Sequence, residues 1–190
     1  TKCRHVFCGD CHDIMIKNKT VYPCPECRAP IKKDEVVITT IDNIKMLINR
    51  LVEDFPDFII TMAPVSSTLQ SDGSSMAGFS YKELYLSEEG KHIHWFNTQC
   101  YDSFSYETFR SIVANGYPPE KIIMGMESGQ FTKDTFPQAL DEVKQIINHY
   151  PNMGGVYDWE YLDAPPDTKD PSQWCNHMKQ SDLLTWQTLV

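Results

Sequence analysis

The chain has 190 residues, 41% of them apolar and 12% aromatic, with a net charge of -9. That apolar content excludes a disordered chain and suits one domain, or a small domain joined to a medium one. The acidity argues against nucleic acid as a partner, because phosphate contacts need clustered cations. Charge is uneven along the chain: residues 1–33 hold seven Lys/Arg against three Asp/Glu, and the remainder holds 10 against 23. Two modules of opposite charge are expected, divided here as 1–37 and 38–190.

The first element is a run of metal-ligand residue types. Five of the seven cysteines lie between Cys3 and Cys27, in the order Cys3-x-His5-x2-Cys8-x2-Cys11-x12-Cys24-x2-Cys27. Paired spacings of this kind point to metal before disulfides. The run resembles part of a RING finger, in which eight ligands hold two zinc ions in a cross-brace. By that resemblance Cys3, His5, Cys24 and Cys27 supply a complete tetrahedral zinc site. Cys8 and Cys11 are left as half of a second site, their first pair of partners not being present. They are free thiols or a strained local disulfide, unless His12 or Asp13 completes a makeshift site. Val6, Phe7, Ile14, Ile16 and Pro25 are the residue types that fill the small core between such zincs. In the family, Arg28 follows the last ligand and clamps ubiquitin, so a fragment of a RING ubiquitin ligase is one reading of this module.

From residue 41 the pattern changes to alternating helices and strands. "IDNIKMLINRLVEDFP" places Ile44, Leu47, Ile48, Leu51 and Val52 at helical spacing, with Asp42 as N-cap and Pro56 as a stop. "DFIITMAP" is a short apolar run, as in a strand covered on both faces. "SSTLQSDGSSMAGFS" is a Ser/Gly-rich loop, and "YKELYLSEEG" is the weakest of the helices. "HIHWFNTQCY" is a strand, and "YETFRSIVANG" a helix ending on Gly116. "KIIMGM" is a third strand, and "FPQALDEVKQIINHYP" a helix with Pro137 in its first turn. "GGVYDWEYL" is a fourth strand and "PSQWCNHMKQSDLLTWQ" the last helix. Alternation of this kind predicts a parallel sheet with right-handed helical crossovers and a ligand site at the carboxyl ends of its strands.

The strand ends carry a second resemblance. Met-Ala-Pro after the first strand, Gln-x-Tyr-Asp after the second and Gly-Gly-Val-x-x-Trp in the fourth, in that order over residues 41–165, are similar to strands five to eight of the family 18 glycoside hydrolases, the chitinase family. The resemblance implies an α/β fold, an incomplete (β/α)8 TIM barrel of about four βα units. It also implies that Met62, Gln99, Tyr101, Asp102 and Trp159 face a sugar pocket. In the family, the Trp ending strand eight floors the subsite of the reacting sugar. The Tyr of strand six hydrogen-bonds the substrate's N-acetyl group, itself the nucleophile. The partner implied is a chitin-type glycan.

The family's general acid closes an Asp-x-x-Asp-x-Asp-x-Glu motif on strand four, and these 190 residues do not contain that motif. Asp34 and Glu35 lie at the corresponding place without the ladder of Asp residues that tunes the acid. General-acid catalysis contributes about 10²–10⁴-fold, so this chain alone is expected to be catalytically inactive. Asp158 and Glu160 share one side of their strand, opposite Trp159, and are expected to be solvated surface charges. Glu127 has no evident partner, and the pair His92 and His94 is expected on the barrel exterior rather than on a metal.

Four strands leave two open edges and an uncovered inner face, so a protein partner or self-association is expected to cover them. A zinc-stapled scaffold within a larger assembly, such as a virus particle, is the alternative to glycan binding. No apolar run approaches the roughly 20 residues of a membrane span. No secretory signal is visible, and the clustered thiols point to a reducing, cytoplasmic setting.

Overall fold

A computed structural model describes residues 21–23, 30–32, 40–73 and 78–180. The ligand residues Cys3, His5, Cys8, Cys11, Cys24 and Cys27 lie outside the described residues, so the zinc expectation falls there with them. The chain divides into two compact units, Thr1–Phe58 with Asp72–Lys91, and Ile59–Ser71 with His92–Val190.

In the first unit, β1 (Val21–Pro23) pairs antiparallel with β2 (Pro30–Lys32). Helix α1 (Ile41–Asp54) follows. Its N-cap is Thr40, whose hydroxyl accepts from the Asn43 N–H, and not the expected Asp42. A cap must stand immediately before the first helical residue. Because the helix starts at Ile41, Asp42 falls in the first turn, where its charge faces the positive helix end. Of the predicted apolar stripe, Ile48 is buried and Leu47 is 53% exposed. The helix stops at Phe55, just before Pro56. Helix α3 (Tyr81–Leu86) is capped by Ser80, whose hydroxyl accepts from the Glu83 N–H.

The second unit holds β3 (Ile60–Met62), the short helix α2 (Ser66–Leu69), β4 (Ile93–Gln99), α4 (Tyr106–Ala114), β5 (Ile122–Glu127), α5 (Phe136–His149), β6 (Gly155–Trp159) and α6 (Ser172–Gln180). The four strands form one parallel sheet in the order β3-β4-β5-β6, with helical connections between neighbours as parallel pairing requires. Sequence order equals spatial order, the arrangement of successive βα units in a barrel wall.

The sheet has two unlike sides, because successive side chains alternate across it. One side carries Phe96, Thr98, Ile122, Met124 and Met126, each fully buried. The helices supply Phe109, Ile112, Ala139, Val143 and Ile146, all 1% exposed or less. At roughly 25 cal/mol per Å² of apolar area, the Phe, Ile, Met and Val side chains among these stabilise by about 1.5–3 kcal/mol each. Tyr150, just beyond the end of α5, packs its ring against Phe109 of α4 at 5.4 Å, tilted by 51°. The other side carries Trp95, Asn97, Gln99, Ile123, Gly125, Tyr157 and Trp159, and it is the more open of the two. In a closed barrel this is the inward side.

Helix α4 ends as its sequence predicts: Asn115 caps it, and Gly116 takes the left-handed conformation with φ 91°. Helix α5 carries Pro137 in its first turn, where no N–H is required.

Candidate active-site face at the strand ends

The site lies at the carboxyl ends of the four strands, all within the second unit. Register sets which side chains meet there. Gln99 pairs with Gly125, and Gly125 with Tyr157, so one row crosses three strands. One step further on, Glu127 pairs with Trp159. Parallel register partners point to the same side of a sheet. Gln99, Tyr157 and Trp159 therefore share the inward side.

Each residue in that row is held. Gln99 donates from Nε2 to the Ala63 carbonyl at 2.8 Å, and its N–H donates to Pro64 O at 2.8 Å. Asn97 bridges its neighbours, accepting from Trp95 Nε1 at 3.0 Å and donating to Thr61 Oγ1 at 3.3 Å. Tyr157 lies over Gly125, where a Cβ would collide with the ring. Its hydroxyl is hydrogen-bonded with Tyr101, and burial, helped by that bond, pushes the phenol well above its usual range. The Tyr157 phenol therefore keeps its proton at physiological pH.

Tyr101 and Asp102 form the turn after β4, closed by the Ser103 N–H on the Cys100 carbonyl at 2.9 Å. Asp102 takes a positive φ of 58° and is exposed. Asp tolerates this left-handed position better than most residues do. Trp159 is 62% exposed at the end of β6. Tyr161 and Leu162 in the following turn are 59% and 71% exposed, so an aromatic and apolar rim continues past the strand.

Met62 is placed differently from the other four. A register shift between Ile60 and Thr61 pairs Ile60 with Ile93, Thr61 with Trp95 and Met62 with Phe96. The skipped residue is His94, whose Nδ1 accepts the Ile60 N–H at 3.1 Å. Met62 thereby falls in the row of buried Phe96, on the opposite side from Gln99 and Trp159, and the register does not bring it to the inward side. His94 is a strand-pairing residue, its ring accepting at Nδ1. Among the described residues no cluster of three or more His, Cys, Asp or Glu could hold a metal ion.

Asp158 corrects another expectation. It does stand opposite Trp159, but it is not a solvated surface charge. Its register partner is fully buried Met126, and its Oδ1 is buried without a hydrogen-bond partner. Burial pushes its carboxyl up to about 6, outweighing the Ser128 hydroxyl and the Trp159 backbone N–H, which favour the ionised form. Ser128, 3% exposed, comes from the 3-10 turn Ser128–Gln130. Local alternation could show which side Asp158 takes; no local signal shows that a serine 30 residues away meets it.

The geometry is that of one wall of a TIM barrel, and the comparisons agree with that fold. The chain is similar to a fungal endo-β-N-acetylglucosaminidase from glycosyl hydrolase family 18, at 34% identity and a TM-score of 0.63, over 75% of this chain and 53% of that one. It is similar to the chitinase ChiC from Aspergillus fumigatus, at 30% identity and a TM-score of 0.59, over 77% of this chain and 56% of that one. A fern family 18 chitinase catalytic domain shares the fold, with a TM-score of 0.54 at 13% identity. The second unit thus has a family 18-like fold, a partial TIM barrel, and the chain spans little more than half the length of the first two structures. No protein-family model and no curated protein matches the chain. No helix among the described residues is long and apolar enough to cross a membrane.

Proposed function

We propose that the inward side of the second unit binds chitin-type glycans, with Trp159 as the stacking platform and Gln99, Tyr101 and Asp102 as polar contacts to the sugar. The observation that carries this reading is the exposure of Trp159, 62%, at the end of a strand whose neighbours present hydrogen-bonding groups on the same side. Tyr161 and Leu162 just beyond it are exposed as well, so the indole belongs to an exposed aromatic and apolar stretch rather than standing alone. A sugar ring, apolar on its C–H face and polar at its edge, matches both the indole and the row beside it. The similarity to family 18 enzymes supports the choice of N-acetylglucosamine polymers over other glycans.

These 190 residues are proposed to bind glycan without cleaving it, because they lack the Asp-x-x-Asp-x-Asp-x-Glu motif that supplies the proton donor. The test is a titration of the chain with chitotriose, followed by tryptophan fluorescence. Saturable quenching or enhancement is expected, weakened at least tenfold in Trp159→Ala, a difference of about 1.4 kcal/mol. No response in the parent chain, or an equal response in the variant, removes the reading.

Zinc is proposed for the N-terminal segment from ligand spacing alone, with Cys3, His5, Cys24 and Cys27 as the site. Metal analysis of the purified chain is expected to return one zinc per chain. Two would mean that Cys8 and Cys11 have found further ligands, and none would end the proposal.

A further inference from the structure

The hydroxyl of Ser128 stands 2.9 Å from Asp158 Oδ2 and 2.6 Å from the Glu160 carbonyl oxygen. A serine hydroxyl has one proton to give. A carbonyl can only accept, and a carboxylate can only accept. Three oxygens in a chain with a single proton would leave one close pair with nothing between them, in a place where Ser128 is 3% exposed and Asp158 Oδ1 has no partner. The count closes when Asp158 keeps its own proton: the carboxylic acid donates to Ser128 Oγ, and Ser128 donates to the Glu160 carbonyl. The two ends of this chain bracket Trp159 in the sequence.

We propose that neutral Asp158 is a positioning residue for Trp159, holding the end of β6 through Ser128 and the Glu160 carbonyl, and that its ionisation releases that hold. When Asp158 loses its proton, the carboxylate competes for the serine proton as the stronger acceptor. The Glu160 carbonyl is then left 2.6 Å from an oxygen with no hydrogen between them, and that segment must move away. The surroundings favour the neutral acid at moderate pH. Asp158 lies beside buried Met126, and burial is the leading cause of its upward shift, to about 6. The flanking segments carry Glu127 on β5 and Glu160, Tyr161 and Asp163 after β6, and the basic residues in the last turn of α6 are His177 and Lys179. No charged side chain is among the causes of the shift. The effect on glycan affinity rests on the binding role proposed above; the proton-held contact does not.

The test is a carbon-detected NMR titration of the Asp158 carboxyl in the full 190-residue chain without glycan, with the Trp159 indole N–H followed in the same samples. The carboxyl is expected to titrate near pH 6, and the indole signal to shift with the same midpoint. In Ser128→Ala the indole should no longer follow the carboxyl; in Asp158→Asn, whose amide can donate to Ser128, it should stay flat across that range. A carboxyl midpoint near the ordinary value of about 4, or an indole indifferent to the carboxyl, overturns the proposal without any variant being needed. Chitotriose affinity, measured next, is expected to fall about tenfold from pH 5 to pH 7, in proportion to the neutral fraction. A coupled titration with no chitotriose binding at either pH leaves the contact standing and overturns the glycan-binding reading instead.

Discussion

The ring of Tyr157 occupies the space that a Cβ on Gly125 would need, directly across the β5–β6 ladder. Gly125 is therefore a glycine for room. Gly125→Ala must displace a ring held through its hydroxyl to Tyr101. Overpacking of this kind costs about 1–3 kcal/mol. Urea unfolding is expected to show a loss in that range, and most of it should vanish when the substitution is made in a Tyr157→Ala background. Equal losses in both backgrounds would show that the ring is not the obstacle.

Helices α4 and α5 are joined by a charge-assisted contact. The Tyr106 N–H, at the first residue of α4, donates to Glu142 Oε2 of α5 at 2.6 Å. An N-terminal helix N–H has no partner within its own helix, and a carboxylate there also meets the positive helix end. Glu142→Ala is expected to cost about 1–2 kcal/mol in equilibrium unfolding. Glu142→Gln, which keeps an acceptor and loses the charge, should recover part of that loss.

Asp158 gives stability a defined pH dependence. Its folded value of about 6 lies above the ordinary unfolded value of about 4. The folded state then holds the proton more tightly, so the stabilisation is complete below about pH 4 and is lost as pH rises to about 6. Asp158→Asn has no such proton to lose. Relative to the parent chain, the variant should gain stability through that window, by on the order of 1 kcal/mol after allowing for partial exposure. Thermal melts of both proteins at pH 4, 5, 6 and 7 measure the difference directly, and a constant offset across the series would contradict it.

The two described cysteines should react at different rates. Cys100 is fully buried, its N–H bonded to the Gly125 carbonyl, and burial pushes its thiol up to about 12. Cys175 on α6 is exposed. The thiolate is the reactive form. Alkylation of the native chain, resolved peptide by peptide, is expected to label Cys175 first. Cys100 should lag by about a thousandfold or more and react only on unfolding. Comparable native rates would mean that the end of β4 opens readily.

Much of this architecture can be read along the chain, because the signals for it are local. The 3.6-residue period marks α1, α4 and α5, the short apolar runs mark β3 to β6, and Asn115-Gly116 marks the end of α4. Strict alternation also tells that Asp158 and Trp159 take opposite sides of β6. The family 18 likeness of the strand ends was visible in Met-Ala-Pro, Gln-x-Tyr-Asp and Gly-Gly-Val-x-x-Trp, and the structural comparisons support that fold. The helix cap was misplaced by two residues, since Thr40 and Asp42 are both good caps and only the helix start chooses between them.

What the amino-acid sequence alone determined, then, is the kind of element at each place and the side of it that each residue takes. Tertiary structure decided the rest. It moved Met62 into the Phe96 row, through a register shift at which the side chain of His94 bonds Ile60, 34 residues away. It laid Tyr157 across Gly125, and it turned Asp158 from a surface charge into a half-buried acid on Ser128. Periodicity is a relation among near neighbours and is written where they stand, whereas register and burial depend on which distant residues meet, and that is settled only when the strands pair and the helices close over them.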